Sequence, residues 1–394
     1  MKLGIIIERL EAWRGGAETS TLELARLLRE KGHEIHVVTS TISQSTPGLT
    51  IHQVPAPTVF GPLRTATFVR HAARQAEQIG FDAVLAMSPC PGADVYQPRG
   101  GLVRETLARN IATRSSAPRR FAKRAMLALN IKQRSLLDLE RKTLREGGPI
   151  VVAVSKYVAR QCEELYGLAP PRIRVVFNGV TIERPPAAQW AADRAAIRKQ
   201  YHVPDSAQLL LFVAHNFRLK GLEPLIETAS RLVTGGFTDF RVLVVGRDNP
   251  VRFQRRIHAQ HLDRFVTFTG PTQRSTAFFC AADALVHPTY YDPCSRVVLE
   301  ALALGVPVLT TRFNGASEVM TDGVEGFVIA TPDEVGLWAR RITELADPAL
   351  REKMSAAALR LRDHVSMKRH VEELNAILLE AADRRGSMRR TIDA

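Results

Sequence analysis

Residues 284–310 read ALVHPTYYDPCSRVVLEALALGVPVLT, and this stretch decides the fold. Ala284 to His287 is a short apolar run that predicts a strand, and a polar loop carries the chain to Pro293. A helix is predicted from Cys294 or Ser295 to Leu304, and beyond Gly305 a second strand follows, Val306 to Thr310. Strand, helix and strand in so short a span make a βαβ unit with parallel strands. The same alternation continues upstream. Leu209 to Val213, Arg241 to Val245 and Val266 to Thr269 read as strands. Between the first two, Leu222, Leu225, Ile226, Ala229, Leu232 and Val233 recur at helical spacing, with Pro224 tolerated in the first turn. Toward the N-terminus the strands are Leu3 to Ile7, Ile35 to Thr39, Ala83 to Met87, Ile150 to Val154 and Ile173 to Phe177. A helix from Ala17 to Glu30 ends at Gly32, and another begins near Ser155. The reading is α/β, with two Rossmann-like doubly wound domains at 1–186 and 187–368, joined through Pro185-Pro186 and the Ala-rich stretch up to Pro204-Asp205. Residues 369–394 read as a helix and a basic tail, Arg384-Arg385 and Arg389-Arg390, expected to pack back on the N-terminal domain.

The 394 residues suit two or three domains at roughly 100–200 residues each. A composition 45% hydrophobic and 24% charged excludes collagenous, coiled-coil and disordered chains. No window approaches ~18 uninterrupted apolar residues, and Glu8-Arg9 directly after Leu3 to Ile7 leaves no room for a signal peptide, so a cytoplasmic protein is expected. Cys90, Cys162, Cys280 and Cys294 lack metal-ligand or dithiol spacing and read as scattered reduced thiols.

The net charge of +14 is concentrated: residues 99–146 hold 13 Lys/Arg against four Asp/Glu, which is +9 of it. At the centre of this segment, Arg119, Arg120, Lys123 and Arg124 are interleaved with Phe121, Met126, Leu127 and Leu129 after Pro118. That mixture fits a helix lying on an anionic membrane surface. It also fits a solvated helix whose apolar residues pack inward. Nucleic acid is not expected, because no binding module or ladder of stacking aromatics accompanies the charge.

In open parallel sheets ligands bind beyond the carboxyl ends of the strands, so the strand-to-helix turns are where chemistry belongs. Gly15 and Gly16, ahead of Glu18, let the backbone approach a ligand at a helix start. The run His215 to Gly221 puts Arg218 and Lys220 at a helix mouth, where a cation can neutralise phosphate. Asp292 precedes the helix that begins at Cys294-Ser295-Arg296-Val297, whose amides suit a pyrophosphate, and Glu300 lies in its second turn. Eight helical residues advance about 800°, or ~80° past two turns, so both carboxylates can border one cleft. Glu300 between Leu299 and the run Ala301 to Leu304 is costly to bury without a polar partner. The turn Asn314-Gly315-Ala316-Ser317-Glu318 can reach the same cleft or be a helix start with an acidic first turn.

With these residues in place, the carboxylates eight apart resemble the Glu-x7-Glu signature of the retaining family 4 glycosyltransferases, and the likeness runs over nearly the whole chain. Gly15-Gly16-Ala17-Glu18, Val154-Ser155-Lys156, Asn178-Gly179-Val180, Lys220-Gly221, Gly305-Val306-Pro307-Val308 and Gly323-Val324-Glu325-Gly326 are similar to family segments. Within the family, His287-Pro288, the run Asp292 to Glu300 and Asp94-Val95-Tyr96 most resemble enzymes that add glucose to the inner-core heptose of lipopolysaccharide. The resemblance implies a GT-B fold, two Rossmann-like domains facing an inter-domain cleft, and a UDP-sugar as donor with no other cofactor. It implies that Glu300 binds the ribose, that amides from Cys294, Ser295, Arg296 and Val297 hold the pyrophosphate and sugar, and that Lys220 stabilises the departing diphosphate. Asp292 is implied to bind donor-sugar hydroxyls, Phe268 and Gly270 to lie near the base, and Gly15, Gly16, His215, Arg218, Gly246 and Arg247 to complete the donor site. Three positions depart from the pattern: Asp292 stands for the family's Glu, His215 for its Arg, and no N-terminal-domain His is matched between Ser88 and Arg99.

The expected reaction is transfer of a hexosyl group, glucose by the resemblance, to a saccharide or glycolipid acceptor with retention. The chain contains no Asp-x-Asp triplet, so fixed positive groups rather than a metal are expected to carry the leaving-group charge. The basic segment would hold the enzyme peripherally on the inner face of the cytoplasmic membrane. A catalytically idle GT-B protein that binds glycans or lipids is the alternative. A nicotinamide dehydrogenase is disfavoured, since Gly-x-Gly-x-x-Gly with a ribose-binding acid ~20 residues on is missing from both halves.

Overall fold

A computed structural model of the chain describes residues 1–11, 16–42, 48–56, 64–114 and 116–392. They form two units, Met1–Gly179 with Met367–Ala394, and Val180–Ser366. The divisions fall earlier than the expected 186 and 368. Residues 187–200, expected as a polar join, are instead a helix bound to the second unit. Its Arg194 and Arg198 hold Asp283 at 2.8 and 2.6 Å, and its Asp193 takes Arg274 at 2.8 Å.

In the first unit the strands are β1 Lys2–Ile6, β2 Arg9–Leu10, β3 Glu34–Thr39, β4 Thr41–Ile42, β5 Thr50–Gln53, β6 Ala83–Ala86, β7 Val95–Tyr96, β8 Ile150–Ala153 and β9 Ile173–Val175. Its helices up to Gly179 are α1 Gly16–Glu30, α2 Arg64–Ile79, α3 Val103–Ala112, α4 Ala117–Ala128, α5 Ile131–Leu144 and α6 Lys156–Tyr166. The main sheet is parallel, ordered β5-β3-β1-β6-β7-β8-β9. β6 and β8 are buried at every position, as expected of strands covered on both faces. Helix α6 begins where the Ser155 side chain accepts the Val158 amide and ends at left-handed Gly167.

The second unit carries α7 Ala187–Gln200, β10 Gln208–Val213, α8 Leu222–Thr234, β11 Phe240–Val245, α9 Val251–Ala259, β12 Val266–Gly270, α10 Ser275–Ala281 and β13 Ala284–His287. After these come α11 Arg296–Leu304, β14 Val308–Thr311, β15 Gly326–Ile329, α12 Val335–Glu344 and α13 Pro348–Arg360. Its parallel sheet runs β12-β11-β10-β13-β14-β15. β14 starts two residues later than expected. Val306 donates to Ala301 O at 2.8 Å in closing α11, and Pro307 has no N–H for a ladder.

The last helix, α14 Met367–Ile392, belongs to the first unit, packing on α1, β6 and β7. It runs on through Arg384-Arg385, where a separate tail was expected. In the basic segment α4 buries none of its residues; Phe121 is 74% exposed, and Leu129, just past the helix end, is 79% exposed. Its apolar side chains therefore do not pack inward.

Candidate active site

The site of the second unit is built where the chain leaves β10, β11, β12 and β13. The loop 215–221 is docked from two sides. Asp248, after β11, accepts the Phe217 amide at 2.7 Å, and the Phe217 ring lies 5.8 Å from that of Phe268 on β12. On the other side the Leu219 carbonyl accepts the Tyr290 amide at 2.9 Å and the Thr289 hydroxyl at 3.2 Å. Gly221 has φ +85°, and a Cβ there would stand 1.8 Å from the Pro288 carbonyl oxygen. Only glycine permits both that backbone and that approach.

This docking brings Lys220 onto Asp292. The ammonium donates to Asp292 Oδ2 at 2.7 Å and to the Tyr291 carbonyl at 2.9 Å, with both side chains mostly buried. Burial pushes the Asp292 carboxyl up, but the Lys220 ammonium outweighs it and holds the group well below the usual carboxylate range. His287 Nε2 stands 3.6 Å from Asp292 Oδ2, just beyond hydrogen-bond length, and among the described residues neither ring nitrogen has a hydrogen-bond partner. Burial lowers the His287 pKa, only partly offset by Asp292, so the imidazole is neutral at pH 7.

Asp292 opens the loop that leads into α11, and its backbone is clamped beside the turn after β14: its amide donates to Phe313 O at 2.9 Å and its carbonyl accepts from Gly315 at 2.8 Å. Asn314, fully buried, accepts the Ser295 amide and the Ala316 amide, each at 3.1 Å, while donating to Thr310 Oγ1 at 3.0 Å. The expected use of amides from Cys294 to Val297 is corrected at Ser295, whose N–H is committed to Asn314. The Ser295 side chain does not cap α11. Glu300, in the second turn, is half-buried beside Arg296, with Arg296 Nη2 3.9 Å from Glu300 Oε1. That is the polar partner its apolar neighbours demanded.

The other expected residues fall around this centre. The Gly246 amide donates to Gly270 O at 3.0 Å, joining the ends of β11 and β12, and a Cβ on Gly246 would lie 1.8 Å from Ala214 O. His215 and Arg247 are exposed on the same loops. Arg218 lies 4.0 Å from Glu223, which also pairs with Arg252. Gly16 begins α1 in the first unit, and Gly15 lies outside the described residues. Asn314 lies in a turn marked from the sequence but was given no role of its own, although an Asn ahead of Gly at a strand end is a capping signal. Nor was His287 given a role. The four cysteines form no disulfide and are buried; burial pushes Cys162 up to about 12 and Cys90 to about 11, so neither is a nucleophile.

Polar loops gathered at the carboxyl ends of a parallel sheet, with an ammonium, two carboxylates and a helix start, lie where ligands of doubly wound α/β proteins bind. The glycosyl transferases group 1 family matches residues 193–381 and glycosyltransferase family 4 matches residues 14–184. The chain belongs to these group 1/family 4 glycosyltransferases, and its fold is GT-B. It is 25% identical to the lipopolysaccharide glucosyltransferase WaaG of Escherichia coli strain K12 over 321 residues, 81% of this chain and 82% of that one. The crystal structure of WaaG, a glycosyltransferase involved in lipopolysaccharide biosynthesis, matches with a TM-score of 0.81 at 22% identity over 95% of this chain and 99% of that one. Anabaena HepE in complex with UDP-glucose matches at 0.70 and 16% identity, over 98% and 100%. These structural likenesses are of fold.

Proposed function

We propose that this glycosyltransferase moves a glucosyl group from UDP-glucose to a hydroxyl of a lipopolysaccharide core saccharide, with retention at the anomeric carbon. The Lys220–Asp292 contact carries the reading. A lysine has three N–H donors, and Asp292 and Tyr291 take two at 2.7 and 2.9 Å. The third is left for a diphosphate oxygen. Asp292, kept ionised, accepts from donor-sugar hydroxyls, and Glu300 accepts from those of the ribose. In the transfer the bond from the anomeric carbon to the phosphate oxygen breaks, its electron pair leaving with the diphosphate. The acceptor oxygen bonds to that carbon from the same face, and its proton passes to the departing phosphate oxygen. Lys220 and the start of α11 stabilise the charge that develops, without a metal. The donor is supported by the UDP-glucose complex of HepE, and the acceptor by the similarity to the lipopolysaccharide glucosyltransferase.

The same reading gives α4 a place. Arg119, Arg120, Lys123 and Arg124 beside exposed Phe121 and Met126 suit peripheral attachment to an anionic membrane on the cytoplasmic face, where a glycolipid acceptor is presented.

Transfer of labelled glucose from UDP-glucose to core oligosaccharide tests the proposal. Turnover is expected to survive chelator and to fall roughly 100-fold or more in Lys220→Ala and Glu300→Ala with circular dichroism unchanged. Tight UDP-glucose binding with neither transfer nor hydrolysis would make the chain a binding protein. Strict dependence on added manganese would overturn the metal-free mechanism.

A further inference from the structure

His287 is a buried titratable group beside the site that the transfer chemistry does not use. It closes β13, is 1% exposed, and among the described residues neither ring nitrogen has a hydrogen-bond partner. A buried polar group without a partner costs stability, and the other three residues of β13, Ala284, Leu285 and Val286, are apolar. An apolar side chain at 287 would fill the space without that cost, so packing alone does not account for the imidazole.

The ring is held in place. Its carbonyl accepts the Thr289 amide at 2.8 Å and the Thr310 hydroxyl at 3.1 Å, and the ring stacks on Phe212 at 6.1 Å with 25° between the planes. From there Nε2 stands 3.6 Å from Asp292 Oδ2, the oxygen to which Lys220 donates at 2.7 Å. Lysine and histidine thus face one oxygen of one carboxylate. A neutral imidazole carries its proton on a single nitrogen, and the ionised carboxylate favours the tautomer with that proton on Nε2. Lys220 also donates to Tyr291 O, so a diphosphate that draws the ammonium toward itself loosens its hold on Oδ2. A mostly buried carboxylate that loses a donor has to gain another or take up a proton. At 3.6 Å, Nε2 is a small shift from the ~2.7–3.2 Å of an N–H···O bond.

We propose that His287 is a positioning residue of the transfer: with a nucleotide diphosphate bound, its Nε2–H takes over Asp292 Oδ2 from Lys220, which frees the ammonium for the diphosphate and leaves Asp292 Oδ1 turned to the donor-sugar hydroxyls. The proposal rests on the donor reading above and deepens it. Nitrogen NMR of the full-length protein labelled at histidine gives a readout without turnover. The His287 signals, identified by their loss in His287→Gln, are expected to show the proton on Nε2, and that proton should move downfield when UDP is added, as its hydrogen bond shortens. In the transfer assay His287→Leu is expected to lower kcat roughly 10-fold or more, with KM for UDP-glucose changed far less and circular dichroism unchanged. Glutamine places a side-chain N–H where Nε2 lies, so His287→Gln should restore most of the loss, whereas His287→Asn, whose amide reaches only as far as Nδ1, should not. A proton on Nδ1, an Nε2–H signal that UDP leaves in place, or His287→Gln as impaired as His287→Leu overturns the role. If the parent protein binds UDP but transfers no glucose, the donor reading fails, and the tautomer and its response to UDP still decide the place of His287.

Discussion

His287 shows how a single buried side chain couples the candidate site to pH. It is 1% exposed behind Asp292, stacked 6.1 Å from Phe212, and burial holds its pKa below the ordinary value. In the unfolded chain the same imidazole protonates near pH 6.5. Between its folded pKa and about 6.5 the unfolded state binds more protons, so stability falls as pH is lowered, by at most about 1.4 kcal/mol per unit. Urea midpoints measured from pH 7 to pH 5 should therefore fall less steeply in His287→Gln than in the parent, and an equal slope would show that His287 titrates alike in both states. Asp292 behaves oppositely in origin. Its depressed pKa makes its stabilising contribution complete above the unfolded value near 3.9, to be lost only in stronger acid. The sequence marked Asp292, Lys220 and Glu300 by residue type and spacing. It did not reveal that Lys220 holds Asp292, because they are 72 positions apart and the packing of Gly221 on Pro288, with the bonds of Leu219 to Thr289 and Tyr290, closes the gap. The contact of Asn314 with Ser295 stayed hidden for the same reason: the two are 19 positions apart.

Helix α4 is the element whose composition and surroundings disagree most. An amphipathic helix normally hides its apolar side chains, yet α4 buries none, and its cations flank the exposed Phe121 and Met126. Co-sedimentation with anionic liposomes should be strong at low salt. It should weaken as salt rises and be lost on reversing the charge at Arg119, Arg120, Lys123 and Arg124. Binding indifferent to both would remove the membrane role. Most other elements were legible from apolar runs and helical periods. β5, β7 and β15 were not, for physical reasons. β5 is the edge strand Thr50–Gln53, polar except for Ile51, β7 has two residues between Asp94 and Gln97, and β15 begins at Gly326, which a Cβ would drive into the backbone of Val308. Pairing with neighbours, not periodicity, makes them strands.

For the chain as a whole, the notable feature is that the first unit is completed by its last helix. Met367, Val371, Leu374, Leu378 and Ala381 of α14 lie in the same core as Leu3, Ile5 and Leu85. Arg385 pairs with Asp94, and Arg369 donates to Phe177 O at 2.8 Å. Leu374→Ala should cost about 2–5 kcal/mol. Hydrogen exchange should show the lost protection in β1, β3 and β6 while β10 to β15 keep theirs; the converse pattern would place α14 in the second unit's cooperative core. From the sequence alone came the α/β class, two parallel sheets, the family and the stretches expected to carry the chemistry, since these depend on local periodicity, turn residues and short motifs. The pairing of Lys220 with Asp292, the commitment of the Ser295 amide and the exposure of α4 were decided by tertiary structure. Each depends on which distant segments share a desolvated space, and desolvation and charge pairing act through distance in the fold, not along the chain.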